Sequence, residues 1–307
     1  MQLTGLISAP HTPFHPDHSL NPDAVAPLAT HLAAHGVQGV FVAGTTGECQ
    51  SLSTEERVRL FHAWGEAAGN MGLTFIAHVG HNSLPDGHAL VRAAQTSGAD
   101  AIGAMAPTFF KPMDAAALVD WFARLVEPAR ELPFYFYDIP PMTGVTIDTT
   151  ELVQRIGDSV PSFVGVKYTN PDREQLRAIL DLESHSPDTL WGCDEELVDG
   201  LELGCAGAVG SSYNFAAPLY HPILRAHAAG DFETARLWQQ RSVTLIDALK
   251  ARGYMQNAKA VMGLLGVDCG PARPPLPQVS PADLESLWEE LETMGFFDWV
   301  RTDSEGD

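Results

Sequence analysis

A lysine follows a short apolar run of the chain, in a position where its side chain would be buried. The run 162–166 is apolar and partly β-branched, Pro161 precedes it, and Lys167 follows it directly. Such a run is typical of a strand that is covered on both faces. Since a desolvated ammonium ion is disfavoured, burial would lower the pKa of this lysine and leave a nucleophilic amine. An amine of this kind condenses with a ketone to form a Schiff base.

Residue types that bind anions or move protons follow other apolar runs. The turn 44–47 carries two threonine hydroxyls between glycines, so its amides and hydroxyls can point at one anion. Tyr137 offers a phenol for proton transfer, and Asp194 and Glu195 offer acceptors to a polyhydroxylated ligand. Each residue alone also has a common structural interpretation. In that interpretation the Lys167 head group reaches solvent, and the turn 44–47 is an ordinary strand-to-helix turn. Tyr137 is then a core aromatic, and the two acids lie in the first turn of a helix.

The elements that must position these residues alternate regularly along the chain. Apolar runs of strand length alternate with amphipathic runs of helix length in about eight units of roughly 25 residues each. This pattern predicts an α/β fold, a (β/α)8 TIM barrel, whose active site lies at the carboxyl ends of the strands. An open doubly wound sheet is the alternative, but it usually shows a glycine-rich dinucleotide loop, and the sequence contains neither GxGxxG nor GxxxxGK.

From Asp231 onward the pattern changes to helices alone, with a proline-rich connection at 270–275. We therefore predict a barrel in residues 1–230, a C-terminal helical appendage packed on the barrel in residues 231–300, and a disordered polar tail in residues 301–307.

Composition restricts the partners and the location. The 307 residues carry a net charge of −21, which argues against nucleic acid and anionic membranes as partners. The four cysteines are far apart and form no CxxC pair, as expected in a reducing cytoplasm. No signal peptide and no run of membrane-spanning length are recognised. His78 and His81 have no third ligand at a useful spacing, so we interpret them as structural or surface histidines and predict no metal.

Five motifs, taken together and in this order, resemble those of the N-acetylneuraminate lyase/dihydrodipicolinate synthase family of class I, pyruvate-handling aldolases. The resemblance covers almost the whole chain. The motifs are GTTGE (44–48), YDIP (137–140), GVKYTN (165–170), GCDEE (192–196) and GAVGSSYN (207–214).

The resemblance implies a lysine–pyruvate imine at Lys167, with Tyr137 as proton donor and acceptor, no cofactor, and a homotetrameric assembly. Thr45 and Thr46 would hold the pyruvate carboxylate. The residues that would bind the sugar chain are Thr169, Gly192, Asp194, Glu195 and Ser211. Within the family, GCDE and GAVGSSYN look most like the N-acetylneuraminate lyase branch. Dihydrodipicolinate synthases carry an arginine soon after the YxxP motif to bind a second carboxylate, and the absence of an arginine after YDIP argues against that branch.

The implied reaction is reversible retro-aldol cleavage of a 2-oxo sugar acid, with N-acetylneuraminate as the favoured substrate and N-acetylmannosamine and pyruvate as products. An aldolase or dehydratase of a 2-keto-3-deoxy sugar acid or of 4-hydroxy-2-oxoglutarate is an alternative. A non-catalytic paralogue that binds pyruvate or a sugar acid is another. Many bacterial members have a tyrosine near 107–112 that serves a proton path across a subunit contact, whereas this chain has Phe109 and Phe110.

Overall fold

A computed structural model describes residues 2–182 and 186–301 of the chain. Eight parallel strands close into a barrel, and each pairs with its neighbour in chain order, the last with the first. This confirms the predicted (β/α)8 barrel. The strands are β1 (Gly5–Ser8), β2 (Gly39–Val42), β3 (Thr74–His78), β4 (Ala101–Ala104), β5 (Phe134–Asp138), β6 (Phe163–Tyr168), β7 (Asp188–Trp191) and β8 (Gly207–Gly210).

Helices connect the strands and then continue beyond the barrel. Ser53 and Glu56 form a capping box at the start of the second helix. The barrel helices are α1 (Val25–Ala34), α2 (Thr54–Met71), α3 (Leu84–Thr96), α4 (Ala115–Leu125), α5 (Pro140–Thr143), α6 (Thr149–Ser159), α7 (Arg173–Leu180), α8 (Leu197–Leu203) and α9 (Tyr213–Ala228). The later helices are α10 (Phe232–Ala251), α11 (Tyr254–Leu264), α12 (Pro281–Met294) and α13 (Phe296–Trp299).

Alternation along β5 and β6 decides which side chains enter the barrel. Tyr135 and Tyr137 of β5 belong to the apolar cluster inside the barrel, whereas Phe134 and Phe136 pack against the surrounding helices. Tyr137 stands beside Lys167 in the strand register. Since successive side chains of a strand point to opposite faces, Lys167 shares the inward face, while the flanking Tyr168 packs outward.

Side chains fill the barrel interior towards the amino ends of the strands, so open space inside the barrel is confined to the carboxyl ends. The Tyr135 hydroxyl donates to Asp188 Oδ2 at 2.7 Å. A Cβ on Gly165 would lie 2.0 Å from the Asp188 carbonyl oxygen and 2.8 Å from the Tyr135 ring, so this position requires glycine. Lys167 lies two residues further along β6, above this packed layer.

The C-terminal helices pack on the barrel at its carboxyl end. α10 contacts α8, α9 and the short 3₁₀ turn Asp194–Glu196. Gln239 of α10 donates to the Asp194 carbonyl oxygen at 3.0 Å and accepts from the Val198 amide at 3.0 Å. The division at residue 230 stays a prediction, and the predicted tail lies, from residue 302 on, outside the described residues. In the described ranges no helix is both long and apolar enough to span a membrane.

Candidate active site

Lys167 lies at the floor of an open cavity, and its side chain is buried. Its Nζ is 4.0 Å from the centre of the Tyr137 ring and 4.3 Å from that of Phe41. Burial lowers the pKa of Lys167 to about 7, although the Asp194 carboxylate partly opposes this shift. A large fraction of this amine is therefore neutral and nucleophilic near pH 7.

The Tyr137 hydroxyl faces the turn between β2 and α2. It lies 3.2 Å from Thr45 Oγ1, and the ring is 3% exposed. Burial raises the pKa of Tyr137 well above its usual value, while the Thr45 hydroxyl opposes the shift. The phenol is therefore protonated at neutral pH and can donate a hydrogen bond or relay a proton.

The turn that carries Thr45 and Thr46 is flanked by two residues in the left-handed region. Ala43 has φ +55° and Glu48 has φ +54°, and such conformations cost of order 1–3 kcal/mol for residues other than glycine. A Cβ on Gly47 would lie 2.9 Å from the Ala43 Cα, so the two ends of the turn meet closely. Contacts from elsewhere in the chain must therefore hold this turn.

Glu48 supplies one of these contacts, through a buried ion pair that sequence reasoning missed. Its Oε1 lies 3.1 Å from Lys259 Nζ, and the two side chains are 2% and 1% exposed. The Arg273 amide donates to Glu48 Oε2 at 2.8 Å, and Lys259 Nζ also donates to the carbonyl oxygens of Thr12 and Pro271 at 2.8 Å. The acid of the GTTGE motif therefore anchors the turn to α11, instead of facing the cavity.

His78 lies on the other side of the same turn. Its Nδ1 is 2.9 Å from the Ala43 carbonyl oxygen, and the buried Arg57 donates to the carbonyl oxygens of His78 and Gly80. Burial, together with the Arg57 charge, lowers the pKa of His78 far below its usual value. The neighbouring His81 accepts from the Ser83 amide at 2.9 Å. These contacts support the structural interpretation of both histidines.

The ends of β7 and β8 bring an acid and two serines together. Asp194 is buried, and its Oδ2 accepts from the Ser212 amide at 2.7 Å and from the Ser212 hydroxyl at 2.6 Å. Burial raises the pKa of Asp194 to about 6, against the effect of these hydrogen bonds. A Cβ on Gly210 would lie 2.2 Å from Asp194 Oδ1, so glycine is needed to seat the carboxylate. Ser211 Oγ lies 2.7 Å from the Tyr254 hydroxyl.

The cavity has a volume of about 210 Å³, and all nine residues predicted as the site line it. Gly192 packs so closely on Thr169 that a Cβ would lie 2.0 Å from Thr169 Oγ1. The individual roles of the nine stay predictions, whereas their proximity is a feature of the fold. They are Thr45, Thr46, Tyr137, Lys167, Thr169, Gly192, Asp194, Glu195 and Ser211.

Sequence reasoning missed the contribution of the C-terminal helices to this cavity. Lys250 of α10 lies 2.6 Å from Glu195 Oε1, and the Tyr254 hydroxyl contacts the serine at the end of β8. Four residues of α10 and α11 line the cavity from outside the barrel, and only the presence of polar residues after Asp231 could have hinted at them. They are Ile246, Lys250, Tyr254 and Met255.

An apolar cavity of about 310 Å³ adjoins the first one through Thr45 and Met255. Beyond it, Phe109 and Phe110 stack edge to face at 5.0 Å and are 78% and 86% exposed. The two phenylalanines therefore contribute no aromatic ring to the interior of this chain, and neither ring lines either cavity.

Among the described residues, no three His, Cys, Asp or Glu side chains come together in the manner of a metal site.

Comparison with known proteins gives one consistent relationship. The sequence profile of the dihydrodipicolinate synthetase family matches residues 2–294. The N-acetylneuraminate lyase of Danio rerio is 34% identical over 279 residues, which cover 90% of this chain and 91% of that protein. The N-acetylneuraminate lyase structure of Proteus mirabilis superposes with a TM-score of 0.93 at 34% identity, over 96% of this chain and 100% of that one. The Aliivibrio salmonicida N-acetylneuraminate lyase (sialic acid aldolase) gives 0.93 at 33% identity, over 96% and 98%.

Proposed function

Since this chain belongs to the dihydrodipicolinate synthetase family and is a carbon–carbon lyase, we propose that it is a Schiff-base aldolase which reversibly cleaves N-acetylneuraminate to N-acetylmannosamine and pyruvate. The names of its relatives support this substrate. The observation that carries the chemistry is the buried Lys167 amine, whose pKa is lowered to about 7 and whose Nζ lies over the Tyr137 ring. No metal or cofactor takes part in the proposed reaction.

The reaction begins at the carbonyl of the open-chain sugar acid. Lys167 Nζ attacks this carbon, water leaves, and a protonated imine forms. Tyr137 gives its phenol proton to the departing water in the imine step, so the phenolate then accepts the proton of the substrate's C4 hydroxyl as the bond between C3 and C4 breaks. The imine takes up the electron pair as an enamine. The aldehyde sugar leaves, the enamine is protonated at carbon, and water releases pyruvate from Lys167. Thr45 and Thr46 hold the carboxylate throughout.

The sugar chain extends towards the ends of β6, β7 and β8. Asp194 and Glu195 offer acceptors there, and Thr169, Gly192 and Ser211 offer hydroxyl and backbone groups. Asp194 is fixed by Ser212, so its orientation does not have to be set at the moment of binding.

Two measurements test the proposed function. Borohydride reduction in saturating pyruvate gives a stable adduct on the peptide that contains Lys167, and its absence would contradict the imine mechanism. A lactate-dehydrogenase-coupled assay then compares N-acetylneuraminate with 2-keto-3-deoxy sugar acids and 4-hydroxy-2-oxoglutarate. Faster cleavage of one of the latter would replace the proposed substrate, and an adduct without turnover of any compound would favour the non-catalytic paralogue.

A Tyr137→Phe variant separates imine formation from bond cleavage. The phenol moves a proton in the cleavage step, so its removal lowers kcat by about 10²–10⁴-fold. The Lys167 amine stays, so borohydride still traps pyruvate on the variant. Measuring both kcat and the yield of the trapped adduct tests the role of the Tyr137 hydroxyl in proton transfer. An unchanged kcat would show that another group carries the proton.

The pH dependence of kcat/KM follows from the two perturbed groups. Only the neutral Lys167 amine attacks, and its folded pKa is about 7, so kcat/KM rises about tenfold per unit up to pH 7 and then levels off. Below about pH 6 Asp194 becomes protonated and loses acceptor capacity, so the decline steepens there. A profile that is flat from pH 5 to pH 8 would contradict the lowered lysine pKa.

We expect a homotetramer in the cytoplasm. Four large apolar side chains, Phe109, Phe110, Met113 and Met142, are each more than 60% exposed, and a subunit contact would cover them. Light scattering after size exclusion measures the mass, and a Phe110→Asp variant shifts it towards the 33.1 kDa of one chain. A wild-type mass of one chain at micromolar concentration would contradict the proposed assembly.

A further inference from the structure

A second lysine lies on the cavity, at its open end. Lys250 stands in the last turn of α10, and its Nζ is 2.6 Å from Glu195 Oε1. The side chains are 50% and 34% exposed, so a ligand in the cavity can reach both of them. Lys167, by contrast, is buried on the floor, so the two lysine side chains serve different parts of a ligand.

The charges around Lys250 disfavour an anionic substituent as its ligand. Glu195 already neutralises the ammonium, and the buried Asp194 lies one residue away along the chain. The whole chain carries a net charge of −21. A phosphate or a second carboxylate at this end would therefore meet more negative than positive charge.

The hydrogen-bonding capacity of Lys250 and Glu195 matches an uncharged diol instead. An ammonium has three N–H donors, and among the described residues Nζ donates one hydrogen bond, to Glu195. The Glu195 carboxylate offers acceptor sites beside these donors. A vicinal diol needs this combination, because each of its hydroxyls both donates and accepts.

We infer that Lys250 determines specificity for chain length: it donates to a hydroxyl of the terminal diol of an uncharged polyol chain, while Glu195 accepts from the adjacent hydroxyl. This inference rests on the proposed function, which supplies a 2-oxo acid with such a chain. An acid without the terminal diol makes no hydrogen bond to Lys250 or Glu195, and the two side chains stay paired with each other. Lys250 then contributes to the binding of the long acid alone.

The experiment compares two substrates and four proteins. The substrates are N-acetylneuraminate and its shortened analogue, from which the terminal diol has been removed. The proteins are the wild type, Lys250→Met, Lys250→Arg and the control Arg236→Met, and pyruvate release is measured for each. Arg236 also lies on α10 and pairs with Glu202 at 2.7 Å, but it does not line the cavity.

The expected result is a rise in KM of about 10-fold for the long acid with Lys250→Met, from the loss of a charge-assisted hydrogen bond. The KM of the shortened acid and both kcat values stay within about twofold, and Lys250→Arg restores most of the affinity. Arg236→Met leaves both substrates unaffected.

Other outcomes overturn the inference in distinguishable ways. Equal losses for both acids would assign Lys250 a purely structural role, and no change for either would remove it from the binding site. If the wild type fails to cleave the long acid although borohydride traps pyruvate on Lys167, the proposed substrate is wrong and the assignment of Lys250 falls with it. If the wild type cleaves the long acid normally and Lys250→Met shows no selective rise in KM, only the assignment of Lys250 is wrong.

Discussion

A Lys167→Met variant loses cleavage activity by at least about 10⁴-fold, because it lacks the buried amine that forms the imine on the cavity floor. Lys250, which is the other lysine lining the cavity, is bound to Glu195 at the open end and cannot take its place. Pyruvate release measures the loss, and mass spectrometry after borohydride treatment shows no adduct. Residual activity above this level, with the adduct on another lysine, would contradict the assignment of Lys167.

The same variant is more stable than the wild type at neutral and acidic pH. The folded pKa of Lys167 is about 7 and the unfolded one about 10.5, so the unfolded chain binds more protons between these values. The cost to the wild type is about 5 kcal/mol below pH 7 and vanishes as the pH rises through 10.5. Methionine removes this cost, so the midpoint of urea unfolding rises most below pH 7. A stability gain that does not depend on pH would show that packing, rather than charge, is responsible.

A Lys259→Met variant is destabilised by about 3–5 kcal/mol, since it leaves the buried Glu48 carboxylate without its counter-ion. Two hydrogen bonds to the carbonyl oxygens of Thr12 and Pro271 are lost as well. Because Glu48 holds the turn of Thr45 and Thr46, catalytic activity falls together with stability. Urea unfolding, followed by circular dichroism, measures the effect.

Two further variants identify the cause of this loss. In the double variant Lys259→Met with Glu48→Gln, no buried charge stays unpaired, so more than half of the lost stability returns. Lys250→Met breaks the partly exposed pair with Glu195 and costs below about 1 kcal/mol, although that pair is shorter. A double variant as unstable as Lys259→Met alone would assign the loss to packing or to the carbonyl contacts.

The sequence was sufficient for the barrel because its signals are local. The alternation of apolar runs and amphipathic runs places each strand and helix, and a closed parallel barrel gathers all strand ends on one face. The residues at these ends could therefore be assembled into one site before any distance was known. Lys167 is the clearest case, since its position after a buried run predicts both its burial and its lowered pKa.

Very short helices and unusual backbone conformations could not be predicted from the sequence. The one-turn helix α5, with two prolines at its start, lacks the periodicity that marks longer helices. The left-handed conformations of Ala43 and Glu48 also have no local signal, because residues other than glycine adopt them when distant contacts compensate for the cost.

The sequence by itself determined the fold, the residues at the strand ends and the position of Lys167 after a buried strand, since these depend on periodicity and on residue types within one repeat unit. The tertiary structure alone decided that Glu48 pairs with Lys259, 211 residues away, and that Lys250 and Tyr254 complete the cavity from helices outside the barrel. It also decided that Phe109 and Phe110 are exposed. Such contacts join residues far apart in the chain, and no local pattern encodes which distant surfaces will meet.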